Sequence, residues 1–209
     1  MQAKNFIFRF ALVFLTAATA CAQGIFIYDQ QSSDESGLFL GSVNINNASN
    51  PGQSFTPSLS VVGFIRLYLE DGTPQDLLGA TFQINLRSNS VSGPIISSTA
   101  PVTLLNGISG AVNFFFNNPV SVTPGTTYYF DLTKQSGSDP WTANIYSYNY
   151  TGGTFFVFGA PDPFNRDLWF REGIYVVPEP SSVALVLVGC GLITWHRRKS
   201  SLNLSQRSN

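Results

Sequence analysis

The sequence predicts an all-β fold, an antiparallel β-sandwich, and three observations support this prediction. Charged residues make up 11% of the 209 residues and aromatic residues 14%, a balance that favours strands over surface helices. Apolar and polar residues alternate with a period of two along most of the chain. The connections between these runs are short and rich in turn residues, which is typical of antiparallel strands with one polar face.

The alternating runs follow one another through the body of the chain. Ile65, Leu67 and Leu69 form the clearest apolar face, because each is separated from the next by a polar or amphipathic residue. Further runs lie at 82–86, 112–116, 128–132, 144–150, 155–158 and 167–170. Turn signals separate them at 71–74, 92–94, 106–107, 124–125 and 152–153. Residues 30–50 are polar and rich in Ser and Asn, and they predict an edge strand with a loop.

The charges are unevenly distributed, and this excludes several functions. Residues 23–180 keep five of the 11 Lys and Arg but all 12 Asp and Glu, a formal charge near −7. A body this acidic repels phosphate backbones, so we expect no nucleic-acid partner. The same residues contain no Cys and no His. This excludes Cys–His and Ser–His–Asp catalysis and thiolate or imidazole zinc sites, and we expect the body not to be an enzyme.

The first 22 residues have the organisation of a secretory signal peptide. Lys4 and Arg9 give a positive start, and a short apolar stretch follows them. Ala20, Cys21 and Ala22 then give the small-x-small pattern that signal peptidase accepts, so cleavage after Ala22 is expected. Cys21 leaves a lipoprotein as the alternative. The apolar stretch is too short for a transmembrane helix.

The C-terminal region has three parts in a fixed order. Pro178, Glu179 and Pro180 precede an apolar run at 183–195, and a basic cluster follows that run. A helix over the run is about 20 Å long, against about 30 Å for a bilayer core, so it is short for a permanent anchor. The basic cluster is expected to stay cytoplasmic, which places the acidic body outside. The cluster consists of Arg197, Arg198 and Lys199.

This three-part order resembles the PEP-CTERM sorting signal of Gram-negative bacteria, in which the residues matching Pro178, Glu179 and Pro180 form the recognition motif. The resemblance implies transient insertion in the inner membrane, processing by an exosortase and loss of the helix and basic tail. An uncleaved single-span anchor is the alternative. The expected organisation is a signal peptide at 1–22, a β-sandwich domain at 23–176, the sorting signal at 177–199 and a polar cytoplasmic tail at 200–209.

The body also resembles a family of exported bacterial β-sandwich domains of the jelly-roll type. Gly52-Gln53-Ser54-Phe55 matches the first strand of such domains. The segment 119–126, leading to Tyr129 and Leu132, matches a later P-V-x-V-x-P-G-T-x-Y-x-x-x-L pattern. The resemblance spans roughly residues 50–172 and implies a jelly-roll-like scaffold without an assigned activity.

One candidate binding site is a strand of tyrosines. Tyr146, Tyr148 and Tyr150 are expected to share one face of a strand, with Trp141 and Trp169 as neighbours. Flat aromatic rings stack on the apolar faces of sugars, so these five residues are a possible carbohydrate platform. The alternative is an aromatic core or a cross-strand ladder.

Two groups of acids are weak candidates for Ca²⁺, and no other cofactor is expected. Carboxylates and loop carbonyls are the ligands that Ca²⁺ prefers, although no EF-hand loop is present. Ordinary turn acids are the alternative. The first group is Glu70, Asp71 and Asp76, and the second is Asp162, Asp167 and Glu172.

Together these features predict an exported, non-enzymatic protein of the cell surface or extracellular matrix. Its partners during export are signal peptidase and an exosortase, and the resemblance implies a structural or adhesive role linked to exopolysaccharide. A carbohydrate-binding module is the first alternative. A carboxylate-dependent glycan hydrolase is the second, and it would need two facing acids in a cleft.

Overall fold

The computed structural model describes residues 24–32, 41–45, 50–146, 150–177 and 191, and these contain 14 strands. The strands are β1 Ile25–Gln31, β2 Gly41–Ile45, β3 Gly52–Phe55, β4 Val61–Asp71, β5 Ala80–Ser88, β6 Ile95–Ser98, β7 Val102–Leu104, β8 Ser109–Ser121, β9 Tyr128–Ser136, β10 Trp141–Tyr146, β11 Phe155–Val157, β12 Ala160–Pro161, β13 Asp167–Leu168 and β14 Phe170–Val176. Phe26–Tyr175 form one compact unit.

The strands form two antiparallel sheets, which confirms the predicted all-β fold. Sheet I has the order β1-β14-β4-β10-β13, with β2 beside β10 and β8 beside β4. Sheet II has the order β12-β11-β3-β9-β5-β6, with β7 beside β5. The core contains buried side chains from both sheets, as a sandwich requires. Phe82 of sheet II packs edge-on against Trp141 of sheet I, with ring centroids 5.4 Å apart.

Strand β4 is the centre of sheet I, and its side chains alternate as predicted. One edge of β4 pairs with β8, and the other pairs with β14 and then β10. Ile65, Leu67 and Leu69 are completely buried, whereas Arg66 and Tyr68 are half-buried on the opposite face. The inner residues therefore form the core, and Arg66 and Tyr68 belong to the outer face of the sheet.

The strands differ from the predicted runs in three places, one of which is the run at 167–170, divided at Trp169 between β13 and β14. The run at 144–150 was expected to be one strand, but β10 covers Trp141–Tyr146 and Tyr150 begins a turn. The matched Gly52–Phe55 segment is β3, the third strand along the chain rather than the first. β3 is buried along its whole length between β11 and β9, so this segment is a central strand of sheet II.

The signal peptide, Cys21, the motif Pro178–Glu179–Pro180 and the basic cluster lie outside the described residues. Within the described ranges, no helix has both the length and the apolar character that crossing a membrane requires.

Gln53 makes a polar tie between the two sheets. Its side chain is completely buried in sheet II. Its Nε2 donates to Oδ1 of Asp167 at 2.9 Å, and its Oε1 accepts from the backbone N–H of Leu168 at 3.1 Å. Asp167 and Leu168 form β13 of sheet I. Because buried polar groups are costly when unpaired, these bonds fix how β3 meets β13.

Gly173 is required where β1 lies against β14. A Cβ atom at this position would be 2.0 Å from the carbonyl oxygen of Ile27, closer than any side chain tolerates. The neighbouring strand could not approach to pairing distance if residue 173 carried a side chain. This close approach brings Phe26, Tyr28 and Asp29 of β1 onto sheet I.

We expect Gln53→Leu to lower the free energy of unfolding by about 2–3 kcal/mol. The substitution keeps the volume of the side chain but leaves the Leu168 N–H and a buried Asp167 oxygen without these partners. Chemical denaturation measures the change. The matched control is Gln135→Leu, at an exposed position, which should change stability by less than about 0.5 kcal/mol. Equal effects of the two substitutions would contradict the conclusion that the hydrogen bonds of Gln53 join the two sheets.

Candidate functional site

Both tryptophans of the predicted carbohydrate platform are buried side chains, which corrects that part of the prediction. Trp141 and Trp169 are buried. The indole Nε1 of Trp141 donates to Oδ2 of Asp139 at 2.7 Å. The Trp169 ring packs edge-on against Tyr68, with centroids 5.8 Å apart. Neither indole presents a free face on which a sugar could stack, because apolar burial governs both positions.

Tyr150 is half-buried and its hydroxyl already has partners. The hydroxyl accepts from the backbone N–H of Thr56 at 3.1 Å and donates to Oε1 of Gln30 at 3.2 Å. The Tyr150 ring meets Phe170 edge-on, with centroids 5.1 Å apart. Burial, which dominates, and nearby acids raise the pKa of Tyr150 to about 12. Of the other two tyrosines, Tyr146 ends β10 and Tyr148 lies outside the described residues.

Asp71 of the first acidic group accepts hydrogen bonds that hold turns. Its Oδ1 accepts from the backbone N–H of Thr73 at 2.8 Å, and its Oδ2 accepts from that of Gly107 at 2.7 Å. Glu70 is exposed on the opposite face of β4, since neighbouring residues of a strand point to opposite sides. The two carboxylates therefore do not converge on one ion.

Asp76 accepts hydrogen bonds from residues of its own loop. Its Oδ1 accepts from the backbone N–H of Leu78 at 2.8 Å, and its Oδ2 accepts from Oγ1 of Thr73 at 2.9 Å. The backbone N–H of Leu78, the largest cause, lowers the pKa of Asp76. The same Thr73 hydroxyl lies 2.6 Å from Oδ1 of Asp139. Across the described part of the chain, no three acidic, His or Cys side chains gather as a metal ion would need.

The second acidic group is dispersed. Asp162 pairs with Arg166, whose Nη2 lies 2.6 Å from Oδ1, and this pairing lowers the pKa of Asp162. Asp167 faces Gln53, and burial raises the pKa of Asp167 to about 6. Glu172 points from β14 into the sandwich and is completely buried. The three carboxylates therefore belong to three different environments.

The outer face of sheet I carries a surface that sequence reasoning missed. Aromatic rings and two guanidinium groups stack across four neighbouring strands, β8, β4, β14 and β1. We refer to this surface as the aromatic–arginine face. Its members are Phe26, Tyr28, Phe64, Arg66, Tyr68, Phe115, Trp169, Arg171 and Tyr175.

Phe26 is the centre of this face. Its ring lies 4.8 Å from that of Tyr175 and 5.0 Å from that of Phe64, measured between centroids. The Phe115 and Tyr28 rings are each 6.1 Å from it. These separations fall in the range where aromatic pairs attract, so the cluster is rigid without a covalent link.

The two arginines lie between the rings. The guanidinium carbon of Arg66 is 4.7 Å from the Phe26 centroid, and its Nη1 donates to the Tyr28 hydroxyl at 2.7 Å. The guanidinium carbon of Arg171 is 4.7 Å from the Tyr28 centroid and 5.6 Å from that of Trp169. Guanidinium groups stack well on aromatic faces because their charge is delocalised and weakly hydrated. Rings and cations therefore alternate along the face.

Two rings of the aromatic–arginine face are open to solvent. Phe115 is 37% exposed and Tyr175 is 40% exposed. They are neighbours, with centroids 5.5 Å apart. The available sequence signal was the outer side of β4, where Phe64, Arg66 and Tyr68 occupy alternate positions. Their meeting with β1 and β14 depends on strand register, which sequence alone does not give.

The outer face of sheet II is different in character. Asp131 forms an ion pair with Nε of Arg87 and accepts from Nδ2 of Asn85 at 3.2 Å. Nη1 of Arg87 also donates to the carbonyl of Gly93 at 2.7 Å. This polar network satisfies its own groups and leaves the aromatic–arginine face as the better candidate for recognition.

Two acids that are distant in sequence face each other beside β1. Neither carboxyl oxygen of Glu172 has a hydrogen-bond partner of good geometry. Burial, first, and the neighbouring Asp29 raise the pKa of Glu172 to about 9. Asp29 accepts from the backbone N–H groups of Ser58 and Leu59 at 2.7 and 2.9 Å, which with the Ser58 hydroxyl lower its pKa despite burial. At neutral pH the pair therefore carries one charge, on Asp29.

No family model matches the chain, and no curated protein is significantly similar to it.

We expect the free energy of unfolding to fall as the pH rises from about 5 to about 9. Glu172 keeps its proton up to a pKa of about 9 when folded but loses it near 4.5 when unfolded, so raising the pH favours unfolding. While the folded state binds one proton more than the unfolded state, the free energy of unfolding falls by about 1.4 kcal/mol per pH unit. Asp167, whose folded pKa is about 6, acts with the same sign at the acidic end of this window.

Glu172→Gln should abolish most of this slope above about pH 6, because the amide does not titrate. Denaturation midpoints measured from pH 5 to pH 9 test this. Glu70→Gln, at an exposed acid, is the matched control and should retain the slope of the parent. A parent protein whose stability rises with pH in this window would contradict the assignment.

Proposed function

We propose that this chain is an exported, non-enzymatic protein of the cell surface or extracellular matrix, with a jelly-roll-like sandwich that adheres to exopolysaccharide. The aromatic–arginine face carries the adhesive part of this proposal. Export and sorting rest on the residues at the two ends of the sequence: the signal peptide at 1–22 and the PEP-CTERM-like order of motif, apolar run and basic cluster at 177–199.

The geometry of the aromatic–arginine face supports adhesion to sugars. The adjacent exposed rings of Phe115 and Tyr175 offer apolar faces against which pyranose C–H groups can stack. Arg66 and Asn113, which are hydrogen-bonded to each other, lie in the next row of the sheet and border these rings with polar groups. An apolar surface bordered by fixed polar groups suits a hydroxyl-rich polymer, which needs both kinds of contact.

The two alternatives make different demands on the same domain. A carbohydrate-binding module would bind a short oligosaccharide saturably, whereas an adhesive matrix protein would hold the polymer through many weak contacts. A glycan hydrolase would need two acids that substrate can reach. Asp29 and Glu172 are a facing pair, but Glu172 is completely buried, so the geometry favours the adhesive function and, after it, the binding module.

We expect the double variant Phe115→Ala, Tyr175→Ala to lose about ten-fold or more in apparent affinity for purified exopolysaccharide. Two stacked rings contribute about 0.5–1.5 kcal/mol each beyond their buried area, and about 1.4 kcal/mol is a factor of ten. The exported protein is titrated against immobilised polymer. The matched control is Phe158→Ala, Phe164→Ala, which removes two exposed rings elsewhere. Equal losses in both variants would reject the aromatic–arginine face as the adhesive surface.

Intact-mass measurement of the exported protein tests the sorting part independently. We expect a mass that lacks residues 1–22 and residues 183–209, because signal peptidase and an exosortase remove the two ends. Replacing Pro178, Glu179 and Pro180 together by Ala should leave the C-terminal residues in the mass. Retention of 183–209 in the parent protein would contradict processing and support a permanent anchor.

A further inference from the structure

A second surface lies at the end of the sandwich where β4 ends and β5 begins. Two loops, 72–79 and 105–108, lie side by side there. The Nδ2 of Asn106 donates to the carbonyl of Pro74 at 2.8 Å, which joins them. Four aliphatic side chains of these loops are open to solvent, and we refer to them as the aliphatic tip: Leu77 is 82% exposed, Leu105 74%, Leu78 47% and Ile108 37%.

The aliphatic tip is held rigidly. Asp71 bonds the backbone N–H of both Thr73 and Gly107, one in each loop, and so ties the loops together. Asp76 accepts from the N–H of Leu78 and so spans Leu77, whose φ of 66° is in the left-handed region that residues with a Cβ rarely occupy. The acids first considered as calcium ligands thus fix exposed leucines in place. Backbone conformations as uncommon as that of Leu77 cluster at binding sites, so this exposed leucine indicates a binding role.

The chemistry of the tip limits what can bind it. The two loops contain no aromatic ring and no basic residue, and Asp76 is their one charged residue. Sugars and anionic polymers therefore find neither a stacking surface nor a cation. Four aliphatic side chains present on the order of a few hundred Å² of apolar surface, whereas a stable dimer buries about 800 Å² on each partner. An apolar environment without a fixed shape therefore fits this small projecting surface better than a second copy of the chain does.

We propose that the aliphatic tip inserts into the surface of an uncharged or zwitterionic lipid bilayer. The leucine side chains enter the boundary between headgroups and acyl chains, and the N–H groups of Thr73, Leu78 and Gly107 keep their carboxylate partners there. The acidic body, near −7, disfavours an anionic bilayer. This membrane contact is independent of the aromatic–arginine face and of the proposed adhesion to exopolysaccharide.

Tryptophan quenching by phosphatidylcholine vesicles with brominated acyl chains tests the insertion in the full chain. In a Trp195→Phe background, Leu105→Trp reports from the tip and Phe158→Trp from another exposed site, at which the native side chain is 71% exposed. Because quenching needs contact with acyl chains, we expect the fractional loss of emission to be at least about three-fold larger at 105 than at 158. Adding Leu77→Ser and Leu78→Ser to the Leu105→Trp chain should reduce it to the level of the control.

Three results would overturn the proposal. The first is quenching at 105 no greater than at 158, which would show that any vesicle binding leaves the tip in water. The second is quenching that requires anionic lipid or Ca²⁺, which would show that electrostatic attraction drives the contact with the vesicle. The third is a concentration-dependent emission shift at 105 without vesicles, which would assign the tip to contact between copies of the chain.

Discussion

The structure of the body depends on the closure of two sheets over one core without a covalent link. No cysteine lies between residues 23 and 180, so packing must hold the sheets together. Aromatic rings contribute to this contact together with aliphatic side chains, as where Phe130 of sheet II meets Phe170 of sheet I at 5.6 Å between centroids. Packing alone allows sheets to slide, since the hydrophobic effect has no direction. The buried Gln53 removes that freedom, because its hydrogen bonds to β13 exist in one register only.

Because the inner faces of both sheets form the core, the side chains on the two outer faces can differ in character. Sheet II covers its surface with the network around Asp131, in which polar groups satisfy one another. Sheet I instead carries stacked rings centred on Phe26, with Arg66 lying over them. This stacking stabilises the sheet, but it does not require that Phe115 and Tyr175 be open to solvent. The exposure of these two rings is better explained by contact with something outside the domain.

The sequence predicts the strands well and the sites poorly, and the reason is physical. Alternation in β4 is local, so Ile65, Leu67 and Leu69 identified the core side of the strand without knowledge of its neighbours. The two tryptophans were expected to be exposed but are buried, because an indole is equally at home in a core or at a surface. The aromatic–arginine face joins residues 26 and 175, at opposite ends of the domain. Such pairings are set by strand order and register, which composition and spacing do not encode.

The acidic side chains of the body have structural roles that the formal charge alone does not show. Asp29, Asp71 and Asp162 accept backbone N–H groups, so their charges hold loops and turns. Glu172, with a pKa of about 9, is neutral at pH 7, which makes the body one unit less negative than its formal charge. The remaining field still opposes nucleic acids and anionic membranes. Because most of these carboxylates hold structure, the contacts proposed for this domain are assigned to the aromatic–arginine face and the aliphatic tip rather than to its acids.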